Sequence, residues 1–221
     1  MRLILAFCCL ALLTVAAAQN THPVTGRQIA PVMGVGGADW LDREERASEE
    51  HPDVAIAHLD LKPGMIVADI GAGTGFYALR IAPRILPGGI VYAEDIQPGM
   101  LKLLSGNASA RNIRNVTPVL GSDSDPKLPP GKIDLAVLVD VYHEFSHPQQ
   151  MLRHIRGSLA PDGRLVLLEF RKEDPSVPVR PEHEMTVAQV KAEVVPEGFT
   201  FQKLDESLPR QHMIFFRKSH Q

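Results

Sequence analysis

A chain of 221 residues with 17 glycines, 18 prolines and a formal net charge of −3 is long enough for one α/β domain with a substantial core. Charges of both signs are mixed along it, and no long basic run or aromatic-studded basic patch occurs, which argues against nucleic acid as the main substrate. Its 2 cysteines, Cys8 and Cys9, both lie near the N-terminus.

Residues 1–18 read as a signal peptide. Met1-Arg2 supplies a positive start, Leu3 to Val15 an apolar core, and Ala16-Ala17-Ala18 a small-residue cleavage site before Gln19. The apolar run is short for a transmembrane span, and an uncleaved anchor is the competing reading. Cys8 has no small residue before it and lies inside the apolar core, which disfavours lipid attachment. The expectation is an exported protein, periplasmic or secreted, with no stable membrane insertion after cleavage. A cleaved chain has no cysteine, which excludes disulfides, thiolate metal sites and cysteine nucleophiles.

Residues 19–50 are polar and irregular, with a turn at Gly34-Val35-Gly36-Gly37 and the single tryptophan, Trp40. They read as an N-terminal arm or lid on a domain spanning 51–221. The charged segment Asp42-Arg43-Glu44-Glu45-Arg46 starts a short helix, and Val54, Ala57 and Leu61 recur at helix spacing before Pro63-Gly64. Strands and helices then alternate. The predicted strands are 65–69, 90–94, 116–120, 133–139 and 164–170, with helices over 76–83, 98–108 and 148–159. Pro87-Gly88-Gly89, Pro129-Pro130-Gly131 and Pro161-Asp162-Gly163 separate them. Strand 133–139 is almost continuously apolar, as a strand covered on both faces requires. Thr186 and Gln189 form a capping box for a helix with Val187, Val190 and Val194 on its apolar side. Strands near 199–204 and 211–217 close the chain as a hairpin.

The richest stretch is Val67 to Phe76, where an apolar strand ends in Asp69 and is followed by Gly71, Gly73 and Gly75. Such a loop lets backbone approach a nucleotide-like ligand closely, below the free N–H groups of a helix start. A dinucleotide loop spaces its glycines Gly-x-Gly-x-x-Gly; here the third comes one residue early and Phe76 holds its place. The next strand ends in Glu94-Asp95, where a carboxylate suits ribose hydroxyls.

Asp69 through Gly75, as Asp-x-Gly-x-Gly-x-Gly, resembles the first motif of class I S-adenosylmethionine-dependent methyltransferases, and the resemblance extends over Pro52 to Phe216. It implies an α/β fold: a Rossmann-like seven-stranded, mainly parallel sheet with a C-terminal antiparallel hairpin and helices on both faces. It implies S-adenosyl-L-methionine as cofactor, with Asp69, Gly71, Gly73 and Gly75 along its methionine and ribose side. Asp95 or Glu94 would meet the ribose, and the register of Asp95-Ile96-Gln97-Pro98 favours Asp95. Asp123, in Gly121-Ser122-Asp123, falls where an acidic side chain meets the adenine amino group. Asp140 through Phe145 ends the fourth strand, where family members face substrate. Asp140 joins the cofactor-binding candidates, with a structural cap on the strand end as its alternative. The segment from Gly26 to Leu41 also resembles a group of predicted bacterial methyltransferases that carry signal peptides.

Methyl transfer is an in-line displacement, so the protein chiefly positions acceptor and cofactor. His143 is the candidate base for an acceptor hydroxyl or acidic carbon; its alternative is a strand-end histidine bonded to backbone. Glu144 reads as solvated. Tyr142 walls the pocket or sits in the core. Trp40, Arg27 and Met33 form a lid, or the tryptophan pins the arm. Arg171, Arg180 and His183 follow the fifth strand in a proline-rich loop that either meets the acceptor or is solvated. No metal is expected: His143 and His147 have i, i+4 spacing but Pro148 follows, and no His-Glu-x-x-His occurs. Gly-x-Ser-x-Gly and Asn-Pro-Pro-Tyr are absent too, and arsenite methylation would need cysteines. The expected activity is methyl transfer to a small-molecule oxygen or carbon. Alternatives on the same fold are a non-catalytic nucleoside-binding protein and an aminopropyl-type transferase, with a nicotinamide oxidoreductase behind them.

Overall fold

A computed structural model describes residues 20–219. The proposed signal peptide, with Cys8 and Cys9, lies outside the described residues. The expected strands become β1 (Ile66–Ile70), β2 (Ile90–Asp95), β3 (Val116–Leu120), β4 (Ile133–Val139) and β5 (Leu159–Arg171), the last starting before Pro161-Asp162-Gly163 and running through it rather than being separated by it. After these come the two-residue β6 (Glu184–Met185), then β7 (Phe199–Asp205) and β8 (Gln211–Lys218). The sheet runs β3-β2-β1-β4-β5-β8-β7, parallel from β3 to β5 and antiparallel where β8 meets β5 and β7. It has 8 strands rather than the expected seven, because β6 pairs with the end of β5 through Phe170 and Glu184. The proline-rich loop after β5 therefore folds back onto the sheet. Strand order reverses beside β1, and ligands of open α/β sheets bind in the crevice at the carboxyl ends of strands at such a point.

Alternation along the strands builds two cores. Val67, Leu135 and Val137 face Ala55 and Ile56 of α3 (Pro52–His58), Ala78 and Ile81 of α4 (Ala78–Ile81), and Leu104 of α5 (Pro98–Ala110). Ala68, Ala136 and Leu138 face Leu152 and Ile155 of α6 (Pro148–Ser158) and Val190 and Val194 of α7 (Val187–Val194). Each such leucine, isoleucine or valine removed from water contributes about 1.5–3 kcal/mol. The capping box on α7 is formed from both sides, by the Thr186 hydroxyl and the Gln189 carboxamide.

Helix lengths differ from the sequence expectation where proline intervenes. The helix expected over 76–83 begins only at Ala78 and tightens into a 3-10 turn over Ala82–Ile85. Pro83 has no N–H to continue the α pattern. In the arm, α1 (Ala38–Leu41) precedes the charged segment and α2 (Arg46–Glu50) starts at its end. Asp42 is the C-cap of α1 rather than a helix start. Leu61 lies beyond α3, which ends at His58.

The arm is tied to α7 by buried charge. The Arg27 Nε donates to Glu193 at 3.0 Å, the Thr25 hydroxyl donates to the same carboxylate, and His22 lies 3.3 Å from it. Arg27 also donates to the His143 carbonyl at 3.0 Å. That bond fixes the arm's path against the carboxyl ends of the strands, where residues 31–41 pass over the glycine loop.

Candidate functional site

A cavity of about 860 Å³ opens at the carboxyl ends of β1, β2 and β4 and is bordered by the arm. The backbone of Gly71 holds φ +70°, and a Cβ there would lie 2.3 Å from Val141 Cγ2. Only glycine fits that turn. The Gly73 N–H donates to Asp95 Oδ2 at 3.0 Å, and the Gln97 N–H donates to Asp95 Oδ1 at 2.8 Å. These two bonds orient the Asp95 carboxylate against the loop. Burial raises its pKa and both bonds oppose the rise.

Glu94 behaves differently. Its Oε2 accepts from the Gly71 N–H at 3.3 Å, while its buried Oε1 has no partner. Burial pushes its pKa from 4.5 up to about 8, so it is mostly protonated at neutral pH. Asp69, buried at the end of β1, is pushed up to about 7 by burial. Between 4.5 and about 8 the folded protein keeps the Glu94 proton that the unfolded chain releases, so stability falls as pH rises. The slope per such group is at most about 1.4 kcal/mol per pH unit. The melting temperature of the cofactor-free protein is expected to fall across this window. Glu94→Gln should flatten the dependence; a slope as steep as the wild type's would assign it to other groups.

Further in, Asp140 has φ +49° and accepts from Gln211 Nε2 at 3.2 Å. Its pKa is raised, first by burial and then by the charges of Glu50 and Glu169. Asp69 Oδ2, Asp140 Oδ1 and the Tyr77 hydroxyl are buried without hydrogen-bond partners, and all three residues line the cavity. Asp123 lines it from an exposed position, with its carboxylate 3.3 Å from His147.

His143 anchors the opposite wall. Its side chain is 2% exposed, with Nδ1 2.6 Å from Glu169 Oε2 and Nε2 3.1 Å from His183 Nδ1. An ionised carboxylate only accepts, so Nδ1 carries the proton and Nε2 presents a lone pair. Glu169 Oε1 accepts from the Tyr142 N–H at 2.9 Å, which fixes the carboxylate's plane. Burial lowers the His183 pKa, with His143 adding to the effect.

Several expectations need correction. Glu144 is not solvated: it lines the cavity, accepts from the Met33 N–H at 3.3 Å, and is pushed up to about 7 by burial. Tyr142 does not face the cavity. It is fully buried beneath it, edge-on to Phe145 with ring centroids 5.5 Å apart, because a 3-10 turn over Tyr142–Glu144 rotates it into the core. Arg171 is spent on Glu206 and the Pro209 and Leu208 carbonyls, whereas Arg180 and His183 reach the cavity. Trp40 stands at the rim, 57% exposed, with the Arg43 guanidinium 3.8 Å from its ring centroid. The arm is pinned instead by Thr74, whose hydroxyl donates to Asp42 at 2.7 Å, and by Leu41, which packs on Gly73. Sequence reasoning missed Glu169 altogether. Its one sign was an acid inside the otherwise apolar run 165–170.

A glycine loop after β1, an acid at the end of β2 bonded back to that loop, and strand order reversing beside them agree with one comparison. Residues 68–165 match the family model described as "Methyltransferase domain". Over that stretch the chain carries a methyltransferase domain. The methyltransferase domain is 32% identical over 118 residues to the ubiquinone/menaquinone biosynthesis C-methyltransferase UbiE of Cupriavidus metallidurans, covering 53% of this chain and 48% of that one. Nocamycin O-methyltransferase of Saccharothrix syringae is 30% identical over 109 residues, covering 49% of this chain and 39% of that one. The chain thus spans about half or less of the length of these curated relatives. Among solved structures, a SAM-dependent methyltransferase from Aquifex aeolicus superposes with a TM-score of 0.80 at 22% identity, covering 85% of this chain and 100% of that one. That likeness shows the fold.

Proposed function

We propose that this protein transfers a methyl group from S-adenosyl-L-methionine to the oxygen or carbon of a small-molecule acceptor. The observation that carries the reading is the Asp95 carboxylate, oriented by the Gly73 and Gln97 N–H groups at the crevice. The residues present fit the cofactor. Asp95 would accept ribose hydroxyls, and the partnerless oxygens of Asp69 and Asp140 suit an α-ammonium group. Glu94, mostly neutral, supports the loop from below, and Asp123 at the rim would meet the adenine amino group. Gly71, Gly73 and Gly75 let backbone approach the methionine side. When bound, the cofactor supplies an electrophilic methyl on a sulfonium, so general acid chemistry at the leaving group is unnecessary.

The chain's own task is to orient the acceptor, exclude water and accept the acceptor's proton. Arm residues Met33 and Trp40 border the acceptor end, and the His143–Glu169 pair offers the basic Nε2 there. Relatives that methylate carbon and oxygen support both acceptor classes. The positive start and apolar run of residues 1–15 support export as part of this proposal.

Calorimetric titration of the purified chain with S-adenosylhomocysteine, with NAD as control, tests the reading. Micromolar binding of the first alone is expected. Asp95→Ala should weaken it by about 1–3 kcal/mol through loss of charge-assisted hydrogen bonds. Equal affinity in wild type and variant would remove Asp95 from the ribose, and absence of binding by folded wild type would end the methyltransferase reading. Binding without turnover of a labelled methyl group over an acceptor screen would favour a nucleoside-binding role. Preference for the decarboxylated cofactor would favour aminopropyl transfer.

A further inference from the structure

Three side chains converge at the acceptor end, and the methyl-transfer reading uses only one of them, His143. His143 Nε2 and His183 Nδ1 are 3.1 Å apart, and a Glu144 carboxylate oxygen joins them within a cluster whose atoms all lie within 4.8 Å of one another. We propose that His143, His183 and Glu144 bind one divalent transition metal ion of the zinc class, with an open coordination position facing the cavity.

The spacing suits an ion. Imidazole nitrogens bind zinc at about 2.0–2.1 Å, which sets two tetrahedral ligands roughly 3.3 Å apart. The observed 3.1 Å is near that value and also serves as the hydrogen bond of the metal-free pair. Rotation about the Glu144 side-chain torsions brings the oxygen the remaining distance. The support behind the cluster is that of a metal site. Glu169 binds His143 Nδ1 at 2.6 Å, fixing the tautomer that leaves Nε2 as the ligand atom. Glu169 is fully buried and is itself held by the Tyr142 N–H. Neither Glu144 nor Glu169 forms an ion pair with lysine or arginine among the described residues, although Arg180 lines the same wall of the cavity.

Two nitrogens and one oxygen from the protein match borderline first-row ions rather than calcium or magnesium. A three-ligand set that keeps a further position open is the pattern of catalytic rather than structural zinc. His143, Glu144 and His183 all line the cavity, so that position is open to a ligand within it. The ion's chemical role rests on the methyl-transfer reading: an acceptor hydroxyl oxygen bound to the ion loses its proton to water more readily, and His143 then acts as ligand rather than base. Binding of the ion does not depend on that reading.

The test uses the purified full chain, stripped with a chelator and titrated with Zn²⁺ against a chromogenic competitor. Co²⁺ absorbance provides a second readout of coordination. One ion per chain is expected, with visible Co²⁺ bands of low-coordinate nitrogen–oxygen ligation. His183→Ala and His183→Asn should each weaken binding at least about tenfold, and Glu169→Gln about 10- to 100-fold. His154→Ala, in an exposed pair with Asp125, should match the wild type. Absence of stoichiometric binding, or His183 variants with wild-type affinity, overturns the site. S-adenosylhomocysteine titrations of the same proteins report folding and separate the two failures. Zinc binding without cofactor binding ends the methyltransferase reading alone, and the reverse result ends the metal site alone.

Discussion

His143→Ala is expected to lower methyl transfer about 100- to 10,000-fold while leaving S-adenosylhomocysteine affinity within a few-fold of wild type. The separation follows from position. Asp69 and Asp95 stand at the tips of β1 and β2, whereas His143 lies in the turn after β4. Removing the imidazole also strands the buried Glu169 carboxylate, which keeps only the Tyr142 N–H, and an unpaired buried charge destabilises the fold. His143→Gln is the necessary companion, because its carboxamide retains a donor for Glu169 without an imidazole's basicity. Both variants should show the same loss of turnover, and the glutamine should melt higher. A large loss of cofactor binding in His143→Gln would make the residue structural instead. Glu169→Gln separates the two chemical roles of the imidazole. If His143 is a base, added Zn²⁺ does not rescue the variant; if it is a ligand, raising Zn²⁺ restores turnover as the weakened site refills.

The division between what the residues announced and what they concealed follows the regularity of the chain. Strands β2 and β4 begin where apolar runs follow proline–glycine turns, and the Thr186 box starts α7 where expected. Asp95 is preferred to Glu94 on the resemblance alone, whose pattern Asp95-Ile96-Gln97-Pro98 fits. Periodicity ends at the tip of β4, and there the sequence was silent. A positive φ at Asp140 and a 3-10 turn after it decide that Tyr142 enters the core and His143 the cavity. No alternation rule covers such a turn. Glu144 looked solvated because its partner, the Met33 N–H, is 111 positions away and reaches it only through the arm. His183 meets His143 only because β6 pins the proline-rich loop to β5. Long-range closures of this kind leave no local trace, so a spacing test that compared His143 with His147 had no way to bring His183 beside them.

Gly71→Ala is expected to abolish measurable cofactor binding, a loss of about 100-fold or more, and to lower the melting temperature. Two independent penalties combine. An alanine held at φ +70° costs about 1–2 kcal/mol of backbone strain. Its Cβ would also lie 2.3 Å from Val141 Cγ2 and 2.9 Å from Val141 Cβ, closer than any real contact. Relief requires the turn carrying Val141 to withdraw, and that turn also holds Asp140 and His143. One methyl group therefore disturbs both ends of the cavity. Gly73→Ala is the contrasting case. Gly73, at φ +55°, shares the backbone strain, but its Cβ would meet only Leu41 Cδ1 at 3.0 Å, the end of a flexible side chain, so its loss in binding should be smaller by the missing contact. Adding Val141→Ala to Gly71→Ala removes the γ carbons and should restore part of the affinity, with the backbone strain left in place. Wild-type binding by Gly71→Ala would show that the loop is not the cofactor's cradle. A double variant no better than the single would put the whole defect in backbone strain and none in the contact between the loop and the turn after β4.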